Sequence, residues 1–304
     1  MKNVVLVRLG KGPITIILLV LLMNMLNACG FKQDDQRSLS NDLIGSYASI
    51  TLPGAKGSLF IIGGGSRSLS LMSGMVDRLS TLDDLVIVLP MASGEPDTSM
   101  FYGKKPLVAL GCTNVHGMNL QPGKFGTAQL DSIRSAGGIY LCGGDQSRFM
   151  EIAQGEIQEA IQEAFRQGAV IAGTSAGAAM MSNVMITGEQ LLEPEYESTY
   201  KRLYENNAIY SEGLGLIQGA IIDQHFVERS RYNRAFTALY DHPGMPVFGI
   251  SESTALVIEP QGLSVEGEGQ VVVFYPSKGR VDSTGQLNFR NLRLDILVHG
   301  DSLY

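Results

Sequence analysis

Residues 173–177 read Gly-Thr-Ser-Ala-Gly and follow the apolar run Ala169-Val170-Ile171-Ala172. In this G-x-S-x-G arrangement the glycines permit a sharp strand-to-helix turn that lifts a serine hydroxyl out of the fold. Ser175 is the candidate nucleophile, and the amide of Ala176 lies where an oxyanion would develop. The competing reading is structural, since a Gly/Ser/Ala run also lets a helix pack closely on a sheet.

A serine nucleophile needs a base. The chain holds four histidines, His116, His225, His242 and His299. His225 lies in Ile221-Ile222-Asp223-Gln224-His225-Phe226, directly after an apolar strand-like pair, and is the best placed of the four. The acid that would orient it is open on position alone. Asp223 is adjacent, Glu252 follows the short run Gly249-Ile250, and Asp145 follows Gly143-Gly144 but also suits a helix N-cap. Beyond His225, Arg229, Arg231 and Arg234 form the densest positive cluster of an acidic chain. Such a run is ordinarily a solvated helix face; beside a candidate base it suits a carboxylate ligand.

These residues must be carried by strand ends. Continuous apolar runs occur at 58–62, 85–89, 107–110, 139–142 and 169–172, as in strands buried on both faces of a parallel sheet. An apolar stripe predicts a helix from about Ser147 to Gln167, stopped by Gly168, and a second helix is expected over Val227–Tyr240. The alternation predicts a doubly wound, mostly parallel α/β sheet. Short runs after residue 246 read as antiparallel edge strands. Ligands of such a sheet bind beyond the carboxyl ends of its strands, where the glycine turns 63–65, 143–144 and 173 fall.

The amino terminus reads separately. Lys2, Arg8 and Lys11 precede an apolar stretch over 13–23 that is too short for a bilayer core of about 30 Å. Leu26-Asn27-Ala28-Cys29 then resembles a bacterial lipobox. The expectation is a lipoprotein signal peptide over 1–28, lipidation at Cys29, a polar tether over 29–55 and one α/β domain over 56–304. The protein would be exported and anchored at the bacterial cell envelope through that lipid. Cys112 and Cys142 are expected to be buried free thiols. A net charge of -7 argues against a nucleic-acid partner. The sequence has no metal-binding motif, and its glycine turns lack the dinucleotide spacing.

Taken together, Gly143-Gly144-Asp145-Gln146, Gly173-Thr174-Ser175-Ala176-Gly177-Ala178 and Asp223-Gln224-His225-Phe226 with its trailing arginines resemble the cyanophycinases. Gly213-Leu214-Gly215-Leu216 and Gly249-Ile250-Ser251-Glu252-Ser253 fit the same pattern, and the likeness covers roughly residues 58–275. These are serine peptidases related to the alpha-aspartyl dipeptidases, with a flavodoxin-like sheet of the class I glutamine amidotransferase type. The resemblance implies Ser175 as nucleophile, His225 as base and Glu252 as its orienting acid. It further implies oxyanion donors at Gly144 and Ala176, and substrate contacts from Gln146, Asp223, Gln224, Arg229, Arg231 and Arg234. No cofactor, a homodimer and a cyanophycin-like polymer cut to β-aspartyl-arginine are implied as well. An aspartyl dipeptidase or isopeptidase, or a non-catalytic peptide-binding lipoprotein, would share much of this pattern. Gly63-Gly64-Gly65-Ser66-Arg67 departs from the family, whose turn usually carries an acid after the glycines.

Overall fold

The structure, a computed structural model, describes residues 50–303 with the exception of residue 196. The expected leader, Cys29 and the tether up to residue 49 lie outside the described residues. The last part of the expected tether is held against the domain: Thr51 and Gln218 exchange two backbone hydrogen bonds of 3.0 Å.

The chain begins as β1 (Ser58–Ile62), α1 (Leu69–Val76), β2 (Val86–Leu89), α2 (Pro96–Ala109), β3 (Val115–Gly117), α3 (Thr127–Arg134) and β4 (Gly138–Leu141). It continues through α4 (Gln146–Ala153), α5 (Glu156–Gln167), β5 (Val170–Thr174), the short α6 (Ala176–Ala179), β6 (Val184–Gln190), β7 (Ala208–Glu212) and β8 (Ile221–Gln224). The remainder is α7 (Tyr232–Asp241), β9 (Val247–Ile250), β10 (Thr254–Glu259), β11 (Gly262–Gly267), β12 (Val271–Phe274), β13 (Arg280–Val281), β14 (Leu287–Asn288), β15 (Leu294–Leu297) and β16 (Ser302–Leu303).

The main sheet runs in the order β16-β11-β10-β1-β5-β4-β2-β3. Its β1, β5, β4, β2 and β3 are parallel, and β10, β11 and β16 close the edge antiparallel. The expected doubly wound α/β sheet with antiparallel edge strands is therefore present. Strands β1, β2, β4 and β5 are buried at every position, which is why their sequences are continuous apolar runs. Phe60, Ile62, Val88, Tyr140 and Ala172 share one core with Leu71, Met72 and Leu107 from α1 and α2.

Several expectations are corrected. Leu107-Val108-Ala109-Leu110 is the end of α2 and its cap, not a strand; Leu107 is fully buried while Val108 is 55% exposed. A run of four apolar residues does not separate the two alternatives, and the actual β3 carries only one apolar residue. The long helix over 147–167 is two helices, broken at Gln154-Gly155. The helix expected from Val227 starts only at Tyr232, because His225 and Ser230 turn the backbone through positive φ first. Finally, β8 and β9 pair in parallel within a second sheet, β15-β12-β9-β8, rather than at the edge of the first.

Cys112 and Cys142 are buried free thiols, and burial pushes both thiols above their ordinary value.

Candidate active site

Strand β5 ends at Thr174, and Ser175 turns the chain with φ 55° and ψ −115° before α6 begins. For a residue with a Cβ this left-handed turn costs about 1–3 kcal/mol, so the surroundings must impose it. The flanking glycines allow them to. A Cβ at Gly173 would stand 2.4 Å from the Gly177 carbonyl oxygen, and one at Gly177 would stand 2.3 Å from that of Leu141. The seam and the elbow expected as alternatives are therefore one construction: close packing of backbone on backbone presents the serine.

His225 lies at the carboxyl end of β8, with φ 48°. Its Nε2 is 2.8 Å from Ser175 Oγ, and its Nδ1 is 2.5 Å from Glu252 Oε1. Of the three acids open on sequence position, Glu252 makes the contact. Asp145 is the N-cap of α4, accepting the N–H groups of Ser147 and Arg148 at 2.8 and 3.3 Å. The other histidines lie elsewhere: His116 bonds Asn114, His242 packs edge-on against Tyr210, and His299 accepts from Gly267.

The first glycine turn holds these parts in register. The consecutive carbonyls of Ile62, Gly63 and Gly64 accept the backbone N–H groups of Ser175, His225 and Ser253 at 3.0, 2.7 and 2.9 Å. A Cβ at Gly64 would lie 2.2 Å from His225 Cε1, and one at Gly65 would lie 2.6 Å from Glu252 Oε2. Sequence reasoning noted this turn but gave it no role. It also missed Glu228, whose carboxylate accepts the Glu252 N–H at 3.1 Å; nothing in the local pattern marks it.

Burial lowers the proton affinity of His225, the Arg229 charge lowers it further, and the Glu252 hydrogen bond only partly compensates. The ring is held below its ordinary pKa, neutral and able to accept a proton at pH 7.

A cavity of about 310 Å³ opens beside Ser175 and is lined by Gly144, Gln146, Gln224, Arg229, Arg231 and Arg234 among others. The turn after β4 runs alongside Ser175: a Cβ at Gly143 would lie 3.3 Å from that of the serine. Ala176 is fully buried at the start of α6. Gln146 donates to the carbonyls of Ile186 and Thr187 at 2.9 and 2.7 Å.

Asp223 departs from its expected role as a substrate contact. It is 1% exposed, does not line the cavity, and both its oxygens bond Arg234. Burial alone would raise its pKa; the Arg234 charge and hydrogen bonds, with Arg231, outweigh that and hold the carboxyl below its usual range. Asp223 serves to set two of the cavity arginines in place.

Residues 59–265 match Peptidase family S51. The chain is 36% identical over 182 residues to the cyanophycinase of Trichormus variabilis, covering 57% of this chain and 58% of that protein. The matched part thus spans little more than half of that relative's own length. It is 32% identical over 237 residues to the cyanophycinase of Geminocystis herdmanii, covering 72% and 82% of the two chains. The crystal structure of a peptidase from an acI-B1 Actinobacterium superposes with a TM-score of 0.60 at 20% identity, over 82% of this chain and 97% of the other, and so shares its fold. With the family match extending from β1 through most of β11, the chain belongs to peptidase family S51.

Proposed function

We propose that the chain is a serine peptidase of cyanophycinase type, hydrolysing aspartyl peptide bonds in a polymer whose side chains carry amide-linked amino acids. The observation that carries this reading is the unbroken line from Ser175 Oγ through His225 to Glu252. The cyanophycinase names of the relatives supply the substrate class.

In this mechanism His225 Nε2 takes the proton of Ser175 Oγ as the oxygen attacks the scissile carbonyl carbon. Glu252 fixes the ring tautomer and stabilises the imidazolium. The amides of Gly144 and Ala176 donate to the developing oxyanion. The imidazolium then protonates the departing amine, leaving an acyl ester on Ser175. Water, deprotonated by His225, attacks that ester and restores the serine. Gln146, Gln224 and Arg229 hold the acyl portion, while Arg231 and Arg234 shape the cavity floor. No cofactor enters these steps.

The same reading places the enzyme outside the cytoplasm as a lipoprotein attached through Cys29, working as a homodimer. Its support is the basic, apolar and small-residue order of residues 2–29 and the resemblance to the family. Digestion of purified cyanophycin tests the activity. The expected product is β-aspartyl-arginine, released by the wild-type chain and not by Ser175→Ala; an intact polymer, or equal digestion by both, refutes the reading.

A further inference from the structure

We infer that Glu228 is a positioning residue of this site: its carboxylate holds the backbone of Glu252, and through it the Glu252 side chain, against His225. This rests on the peptidase reading above.

Glu252 is loosely enclosed for a group that must orient an imidazole. Its side chain is 34% exposed, against 9% for His225. Among the described residues, His225 is the one hydrogen-bond partner of its carboxylate. A side chain not packed on all sides takes its direction from its backbone, so whatever fixes that backbone sets the carboxylate.

That backbone lies between strands, since β9 ends at Ile250 and β10 begins at Thr254. Ser253 turns it through a φ of 54°. Ser251 and Ser253 donate their N–H groups to the Gln270 and Gly64 carbonyls at 3.0 and 2.9 Å. Between them, the Glu252 N–H donates not to a carbonyl but to Glu228 Oε2 at 3.1 Å. Among the described residues, this is the one bond from a distant side chain to the 251–253 backbone.

Glu228 comes from the turn that carries His225. The carbonyls of His225, Phe226 and Val227 accept from Arg229, Arg231 and Ser230 at 3.0, 3.0 and 3.1 Å, which winds residues 225–231 into one unit. A closed circuit results: His225 ring to Glu252 carboxylate, Glu252 amide to Glu228 carboxylate, then back along the chain to His225. When the turn shifts, ring and carboxylate shift together, and the Nδ1–Oε1 contact keeps its geometry. The bond is charge-assisted but exposed, so water replaces part of it when it is removed. Glu228 does not line the cavity beside Ser175, so its loss should act on kcat rather than on KM.

The test compares Glu228→Ala, which removes the acceptor, with Glu228→Gln, which removes the charge but keeps an acceptor oxygen. Glu228 is exposed, so neither change disturbs the core. On soluble aspartate oligomers bearing side-chain-linked arginine, Glu228→Ala should lower kcat about tenfold and change KM by less than about twofold. Glu228→Gln should restore kcat to within about twofold of wild type. The acid limb of kcat/KM should move to lower pH in Glu228→Ala. There the Glu252 hydrogen bond, which raises the His225 pKa against burial and the Arg229 and Arg231 charges, is weakened. In a Glu252→Ala background, adding Glu228→Ala should cost nothing further. Proton NMR of Ser175→Ala reads the same relation without turnover: the downfield His225 Nδ1 proton should shift when Glu228→Ala is added and stay with Glu228→Gln. Loss in Glu228→Ala with rescue by Glu228→Gln supports the inference. Equal losses in both variants, a rise in KM alone, wild-type kcat in Glu228→Ala or an unmoved Nδ1 proton overturns it. If wild type cleaves no oligomer, the peptidase reading fails, and the NMR comparison still decides the role of Glu228.

Discussion

The Gly63 carbonyl accepts the backbone N–H of His225 at 2.7 Å, tying this histidine to the turn after β1 rather than to its own sheet alone. The neighbouring carbonyls on either side take Ser175 and Ser253. Ser175, His225 and Glu252 arrive from three separate parts of the chain, β8 belonging to a different sheet from β5. One turn of three residues sets their mutual positions, and this makes it as sensitive as the side chains themselves.

Gly64→Ala tests that sensitivity. The new methyl would stand 2.2 Å from His225 Cε1 at a residue with φ 111°, so either the ring or the turn must move. A general base contributes about 10²–10⁴-fold to rate, and a displaced one forfeits most of it. The variant should keep its circular dichroism and lose at least about a hundredfold in kcat. Near-wild-type kcat in a folded variant would show that the turn does not set the ring position.

Ser175, His225 and Glu252 should act as a unit. Ser175→Ala is expected to remove several orders of magnitude from kcat, and Glu252→Gln about two to four. Because His225 has nothing to activate once the hydroxyl is gone, Ser175→Ala/Glu252→Gln should be no slower than Ser175→Ala. Additive losses in the double variant would mean that Glu252 acts by another route. Labelling by a serine-reactive phosphonate should likewise vanish in Ser175→Ala and slow sharply in Glu252→Gln.

How much of this was legible in the sequence depends on how local each cause is. Ser175 and His225 could be found because a glycine-flanked serine and a histidine each follow an apolar run, and strands buried on both faces leave such runs. The parallel sheet was legible for the same reason. Leu107–Leu110 misled because four apolar residues fit one helix turn as well as a strand, and β3, at the sheet edge, needs little apolar sequence. Asp223 stood beside His225, but only the fold brings Arg234 to both its oxygens. Glu228 was invisible, since it acts through a backbone amide 24 residues away.

The pH dependence follows from His225. Catalysis needs the neutral ring, so kcat/KM should rise as pH increases through its pKa and then level off. Burial holds that pKa below the ordinary histidine value of about 6.5, and the Arg229 charge lowers it further, so the acid limb should fall below that value. Arg229→Gln removes one lowering influence and should move the limb upward, whatever it does to KM. A limb at or above the ordinary value in wild type, or one unmoved in the variant, contradicts this account.

Asp223→Asn tests the floor of the cavity by stability rather than rate. The carboxylate is buried against Arg234 and Arg231, and removing one partner of a buried pair leaves charge uncompensated, at a cost of about 3–5 kcal/mol. Denaturant titration at pH 7 should therefore show a large loss. The folded-state pKa of Asp223 is lowered, so its contribution is complete above the unfolded value of about 3.9 and declines as pH falls through the folded one. The gap between wild type and variant should accordingly be constant from pH 7 down to about 5 and then narrow with further acidification. A gap that stays constant into strong acid would mean that the lost stability comes from packing around Asp223 and not from its charge.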